Sequence, residues 1–227
     1  MKTRIATGLW LLATGFFLPL SGCAQVERTA TVTRRTFEVF TPDVTLKAAQ
    51  AMENERLPDE RRKGINKLVQ SDFGRRDPYT KRYAQIASSD PDFLVRATAI
   101  RALNRSRYKP ATSIFIEALK DKEAHAVVRL EAAKALANIP DPNAATALVD
   151  TVNNAAEDRD VRIAAADALR HYKQIEVARA LASKLRGNDF GLAWQSRKSL
   201  ENLTGRDLRY DQTAWLAYLS GPTKPFG

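Results

Sequence analysis

The spacing of apolar positions divides the chain into two unlike parts. From Ile5 to Leu20 the residues are mostly apolar, broken by Thr7, Gly8, Thr14, Gly15 and Pro19, and no period is visible. From residue 44 onward apolar side chains recur at intervals of three and four, as in Val128, Ala132, Ala135 and Leu136. That spacing lays one apolar stripe along a helix. A proline-rich or polar break follows, for example Ile139-Pro140-Asp141-Pro142, and then a second amphipathic run, as over 144–152 and 175–185. The pattern predicts helices in pairs, separated by short turns.

Aligned with itself, the chain repeats. Val95-Arg96-Ala97-Thr98-Ala99-Ile100-Arg101-Ala102-Leu103 returns 33 residues later, starting at Val128-Arg129, and 33 later again, starting at Val161-Arg162. Weaker copies begin at Glu60 and at Leu192, offset by 35 and 31 residues. A period of this length marks stacked supersecondary units, each unable to bury its apolar face alone, with atypical copies closing the ends. The expectation is an all-α chain: an α-solenoid of stacked antiparallel helix pairs, about five units over residues 44–220, with a short tail at 221–227. Alanine dominates the repeated helix, and small side chains let adjacent helices approach closely.

The carried pattern, Asp-x-x-Val-Arg-x-x-Ala-x-x-Ala-Leu, is met by Asp92, Val95, Arg96, Ala99, Ala102 and Leu103, and again by Asp158, Val161, Arg162, Ala165, Ala168 and Leu169. It resembles HEAT-like repeats of the short type found in bacterial proteins and in phycobilisome lyases. Two copies depart from it: His125 stands where Asp stands elsewhere, and Ala193 stands at an arginine position. The whole chain is also similar to HEAT-repeat lipoproteins of planctomycete-type bacteria, whose arrays end in a segment like Leu203-Thr204-Gly205, Tyr210-Asp211 and Trp215-Leu216-Ala217-Tyr218-Leu219. That resemblance carries fold and location rather than a mechanism.

The first part of the chain supplies an address. Lys2 and Arg4 precede the apolar run, and Leu20-Ser21-Gly22-Cys23 follows it, which resembles a signal peptide ending in a bacterial lipobox. The resemblance implies a leader over 1–22, cleavage between Gly22 and Cys23, and lipid on Cys23, the only cysteine of the chain. A thioether-linked diacylglycerol with an N-acyl chain gains about 0.8 kcal/mol of membrane affinity per buried methylene. Ala24 resembles the outer-membrane sorting pattern, so the expected location is the periplasmic side of the envelope. Residues 23–43, rich in Thr, Arg and Val without helical period, read as a flexible tether, with a strand-like stretch at 36–40.

Composition is that of a globular protein, with 44% apolar and 27% charged residues. Charge changes the picture more. The formal net charge is +10, and residues 56–109 hold fourteen Lys/Arg against six Asp/Glu, whereas residues 110–227 hold sixteen against fifteen. The clusters Arg61-Arg62-Lys63, Arg75-Arg76 and Lys81-Arg82 read first as a solvated face, and where they converge as a site for an anionic partner. Arg96, Arg129 and Arg162 read as a structural ladder with Asp92, Asp158 or neighbouring carboxylates. Gly187 and Gly205 read as helix-ending glycines, and Trp194, Tyr210, Trp215 and Tyr218 as aromatic mass closing the last repeat.

The chain carries no Gly-x-Ser-x-Gly, phosphate-cradling glycine loop or His-Glu-x-x-His, and its two histidines have no spaced ligand partner. The expectation is no enzyme, no cofactor and no metal. The expected role is a lipid-anchored scaffold in the cell envelope that holds a protein or an anionic envelope polymer, not nucleic acid. Two alternatives remain open from sequence: a lyase-type or chromophore-binding protein, implied by the bilin-lyase resemblance, and a structural component gripping anionic lipid or polymer.

Overall fold

The computed structural model describes residues 42–221 and Phe226. The leader, the Gly22–Cys23 junction, the tether with its strand-like stretch, and most of the 221–227 tail lie outside the described residues. Within them are eleven helices and no strand: α1 (Pro42–Met52), α2 (Pro58–Leu68), α3 (Tyr79–Ser89), α4 (Phe93–Arg105), α5 (Thr112–Lys120), α6 (Ala126–Asn138), α7 (Ala145–Asn153), α8 (Arg159–Ala168), α9 (Ile175–Ala182), α10 (Phe190–Thr204) and α11 (Gln212–Ser220). Short 3₁₀ turns at Phe73–Arg75, Lys109–Ala111, Pro142–Ala144 and Leu169–His171 join one pair to the next. No described helix is long and apolar enough to cross a membrane.

The five sequence copies are α2, α4, α6, α8 and α10, and these form one layer, each packed broadly on the next. The other layer, α3, α5, α7 and α9, has sparser contacts between its members. Each odd-numbered helix from α1 to α9 packs on the even-numbered helix after it, and the short connections make each pair antiparallel. Alanine explains the difference between layers: Ala99, Ala132, Ala133, Ala135, Ala165, Ala166 and Ala168 are fully buried between neighbouring backbones. The closing leucine of every copy, Leu68, Leu103, Leu136, Leu169 and Leu200, is at most 1% exposed. Each such leucine contributes about 1.5–3 kcal/mol by burial, so the repeat is also the unit of the core.

Helix starts follow from the repeat's polar positions. Asp92, Asp158, Asp189 and Asp211 accept backbone N–H groups at the first turns of α4, α8, α10 and α11, for example Val95 N at 2.9 Å and Leu192 N at 3.1 Å. Such caps stabilise a helix by about 1 kcal/mol each. The aspartates of the repeated motif therefore serve as caps, and among the described residues neither Asp92 nor Asp158 pairs with an arginine. At the departing copy, His125 does the same work: its Nδ1 accepts from Val127 N at 3.3 Å, and its ring stacks on Phe93 at 4.0 Å.

At the array's start the backbones of α1 and α2 nearly touch. A Cβ on Gly64 would lie 2.4 Å from Met52 N and 2.5 Å from Ala48 O. Gly64→Ala must push α1 away, and a thermal melt is expected to show a loss of about 1–3 kcal/mol. Gly205 ends α10 in the left-handed region, φ 70°, donating to Glu201 O at 2.8 Å. Gly187 does not share that role. It lacks a positive φ, because α9 stops earlier, at Ala182, and runs out through an ordinary right-handed turn at Ser183.

Two aromatic positions separate as well. Trp215 is fully buried, whereas Trp194 is 45% exposed and closes nothing. Tyr83, within α3, is fully buried with a hydroxyl that has no hydrogen-bond partner among the described residues, and burial pushes its pKa up. A buried hydroxyl without a hydrogen bond costs about 1–3 kcal/mol of desolvation. Tyr83→Phe is therefore expected to unfold at an equal or higher urea concentration than the native chain; a clear fall would show that the hydroxyl is bonded.

Candidate interaction surface

The basic residues predicted as an anion site are mostly engaged within the chain. Arg61 is buried at 7% exposure and faces no external ligand. Its Nε and Nη2 donate to Asp90 at 2.8 and 2.9 Å, and its Nη1 donates to Asn54 O and Glu55 O. Arg62 sits 3.1 Å from Asp59, and Lys63 2.8 Å from Glu60, whose hydrogen bond holds the lysine above its ordinary pKa. Arg75 pairs with Asp72 and donates to Val69 O and Gln70 O. Lys81 lies 2.8 Å from Asp77, raising the lysine's pKa and lowering the aspartate's. Arg82 donates through Nε to Glu53 at 2.8 Å, which raises its pKa. Arg76 alone of the seven is exposed with no ion pair among the described residues. Exposed pairs of this kind are worth only about 0–1 kcal/mol, so Arg62, Lys63, Lys81 and Arg82 can exchange their partners for an external anion.

The pairs that cross between units share a spacing. Arg61–Asp90, Glu53–Arg82, Arg101–Glu131, Arg129–Glu157 and Arg159–Asp189 join residues 28 to 30 apart, a little less than one repeat. These carboxylates escaped the reading of single motifs, and the signal that finds them is an acid about one repeat after the arginine, or, for Arg82, one repeat before it. Of the repeat arginines, Arg129 meets Glu157 and the carbonyls of Lys122 and Ala124. Among the described residues Arg96 and Arg162 bond only to carbonyls: Arg96 to Asp90 O and Pro91 O, Arg162 to Val152 O.

The outward side of the alanine layer shows a gradient. One register position, taken across the five helices, reads Arg62, Ala97, Leu130, Ile163, Trp194. The next reads Lys63, Thr98, Glu131, Ala164, Gln195, and the one beyond it Asn66, Arg101, Lys134, Asp167, Lys198. The face carries Arg62 and Lys63 on α2 and Arg101 on α4, and toward α8 and α10 half-buried Ile163 and exposed Trp194 and Phe190 lie beside Asp167 and Lys198. Within the row Ala97 is buried, Leu130 and Ile163 are half-buried against the core, and Trp194 is exposed, so the exposed apolar area gathers at the α10 end. His171 is held by the chain, donating from Nε2 to Ala137 O at 2.8 Å. Among the described residues no three His, Cys, Asp or Glu side chains group as metal ligands.

No curated protein matches the chain. Residues 80–170, the three consecutive pairs from α3 to α8, match the family model of HEAT repeats, so the α-solenoid seen here is similar in sequence as well as in architecture to HEAT-repeat proteins over its central units.

Proposed function

We propose that the chain is a non-catalytic scaffold, held to a membrane in the cell envelope by lipid on Cys23, whose alanine-layer face binds a protein partner. The observation that carries the binding surface is the in-register row Arg62, Ala97, Leu130, Ile163 and Trp194, which dips at buried Ala97 and offers charge at one end and an exposed tryptophan at the other. A fitting partner is acidic where it meets α2 and α4 and apolar where it meets α8 and α10. Such a surface gains orientation from its charges and most of its affinity from the buried aromatic anchor. HEAT repeats over 80–170 support a role in protein interaction, and the Leu20-Ser21-Gly22-Cys23 pattern supports the anchor.

Photo-crosslinking tests the surface. A benzophenone side chain placed at Leu130, Ile163 or Trp194 is expected to give the same discrete adduct in envelope preparations, and none from Leu46, which is exposed on α1. Adducts of equal yield from all four positions, or from none, would overturn the assignment.

A further inference from the structure

Four equivalent arginines, Arg61, Arg96, Arg129 and Arg162, stand at the second position of their repeat copies, and three of them hold their guanidinium in one way. In Arg61, Arg96 and Arg129, Nη1 donates to carbonyls of the loop just before the helix. The opposite edge, Nε with Nη2, then differs. In Arg61 it grips Asp90, and in Arg129 it grips Glu157, acids 29 and 28 residues further on. Both are bidentate contacts with a nearly buried carboxylate, side-chain exposure 7% in each case. The residue 28 after Arg96 is Ala124, and the Nε–Nη2 edge of Arg96 has no hydrogen bond or ion pair among the described residues. Beside it lies a cavity of about 410 Å³, lined by Arg96, Ser113, Ile114, Glu117, Asp121 and Ala124 among others. At Arg162 the residue 28 further on is Phe190, and Lys184 is near enough for its charge to be opposed by that of the arginine.

We propose that this cavity is a carboxylate-binding subsite, in which a ligand's carboxylate takes the place that Asp90 and Glu157 occupy on the equivalent arginines. A guanidinium edge already fixed by its other nitrogen is pre-organised for two parallel N–H···O bonds. Ile114, Ala124 and the neighbouring Ala87, Ala118 and Val128 give the space an apolar wall, which suits a carboxylate on a short methylene stem. The lining also holds two acids: Glu117, 3.4 Å from Lys120, and Asp121, which accepts the Glu123 N–H at 3.0 Å. Their charge selects against dianions and favours a single carboxylate followed by a neutral or cationic group. The subsite lies between α3 and α5, apart from the alanine-layer row, so it extends the molecule's binding repertoire beyond the scaffold surface.

The test uses the full chain and the Nε–Hε proton of Arg96, identified by its disappearance in Arg96→Lys. Two probes are titrated against a sodium chloride control of equal ionic strength: N-acetylglutamate amide, which carries a peptide-like side-chain carboxylate, and sodium propionate. A saturable shift of that proton with either probe, absent with chloride, supports the subsite; a response to the blocked glutamate alone assigns it to an acidic residue of a peptide, and a response to both assigns it to free carboxylates also. Ala124→Glu supplies the missing acid from within the chain. It is expected to raise the melting temperature and to weaken the probe at least about tenfold, the worth of one charged hydrogen bond. No saturable shift with either probe, an unchanged response in Ala124→Glu, or a lower melting temperature for that variant would overturn the proposal.

Discussion

Arg61→Ala is expected to lower the stability of the first two units by about 3–5 kcal/mol, the range for removing one partner of a buried, hydrogen-bonded ion pair. The loss has a clear source. Asp90 is left at 7% side-chain exposure without its two guanidinium bonds, and the carbonyls of Asn54 and Glu55 lose their donor as well. Because units of a solenoid touch only their neighbours, the damage should stay local. Hydrogen exchange is the measurement: α1, α2 and α3 should lose protection in the variant while α8 and α10 keep theirs. Arg61→Ala combined with Asp90→Ala should recover part of the loss, since no buried charge is then left alone. Equal deprotection of all helices would contradict the local, repeat-by-repeat account.

At the opposite end, Trp215→Ala is expected to cost about 3–5 kcal/mol, as large-to-small changes of a buried aromatic do. Trp215 is the largest fully buried side chain, its Nε1 donates to Arg209 O at 3.0 Å, and Tyr218 meets it edge-on at 6.3 Å. The helix that carries it, α11, packs on α9 and covers the flank that a sixth pair would otherwise cover. Chemical unfolding of Trp215→Ala should begin at α9–α11, followed by exchange of those helices ahead of α4 and α6. Trp194→Ala is the control: at 45% exposure it should change stability little, while weakening the partner adducts expected from the alanine-layer face. A stability loss at Trp194 equal to that at Trp215 would show that both tryptophans close the core.

Much of this architecture is legible from periodicity because the same residues set both the repeat and the core. The Val-Arg-x-x-Ala-x-x-Ala-Leu copies coincide with α4, α6 and α8, and the weaker copies with α2 and α10, since alanine and leucine at those positions have only one way to be buried together. The second helix of each pair has no comparable motif; its boundaries vary, and α9 ends at Ala182 although apolar spacing continues to Leu185. The motif aspartates were visible but ambiguous, because an aspartate ahead of a helix can cap it or meet an arginine, and only the backbone placement decides for capping.

The basic clusters were the least legible feature. Asp59, Glu60, Asp72 and Asp77 stand three or four residues from their cations and could be paired by helical spacing alone. Asp90 and Glu53 stand a repeat away, so Arg61 and Arg82 find them only once the stack is built. Among the described residues, a linear cluster of seven cations thus becomes one buried tie, five surface pairs and one arginine without an ion pair. Counting charge along the chain registers sign but not neighbourhood, and neighbourhood decides which cations a partner can reach.

The measurement that bears most directly on a lipid-anchored scaffold is metabolic labelling with a palmitate analogue, comparing the native chain with Cys23→Ser and following both through membrane fractionation. The account predicts label and membrane association for the native chain and loss of both in the variant. A native chain that takes no label and fractionates away from membranes would contradict it.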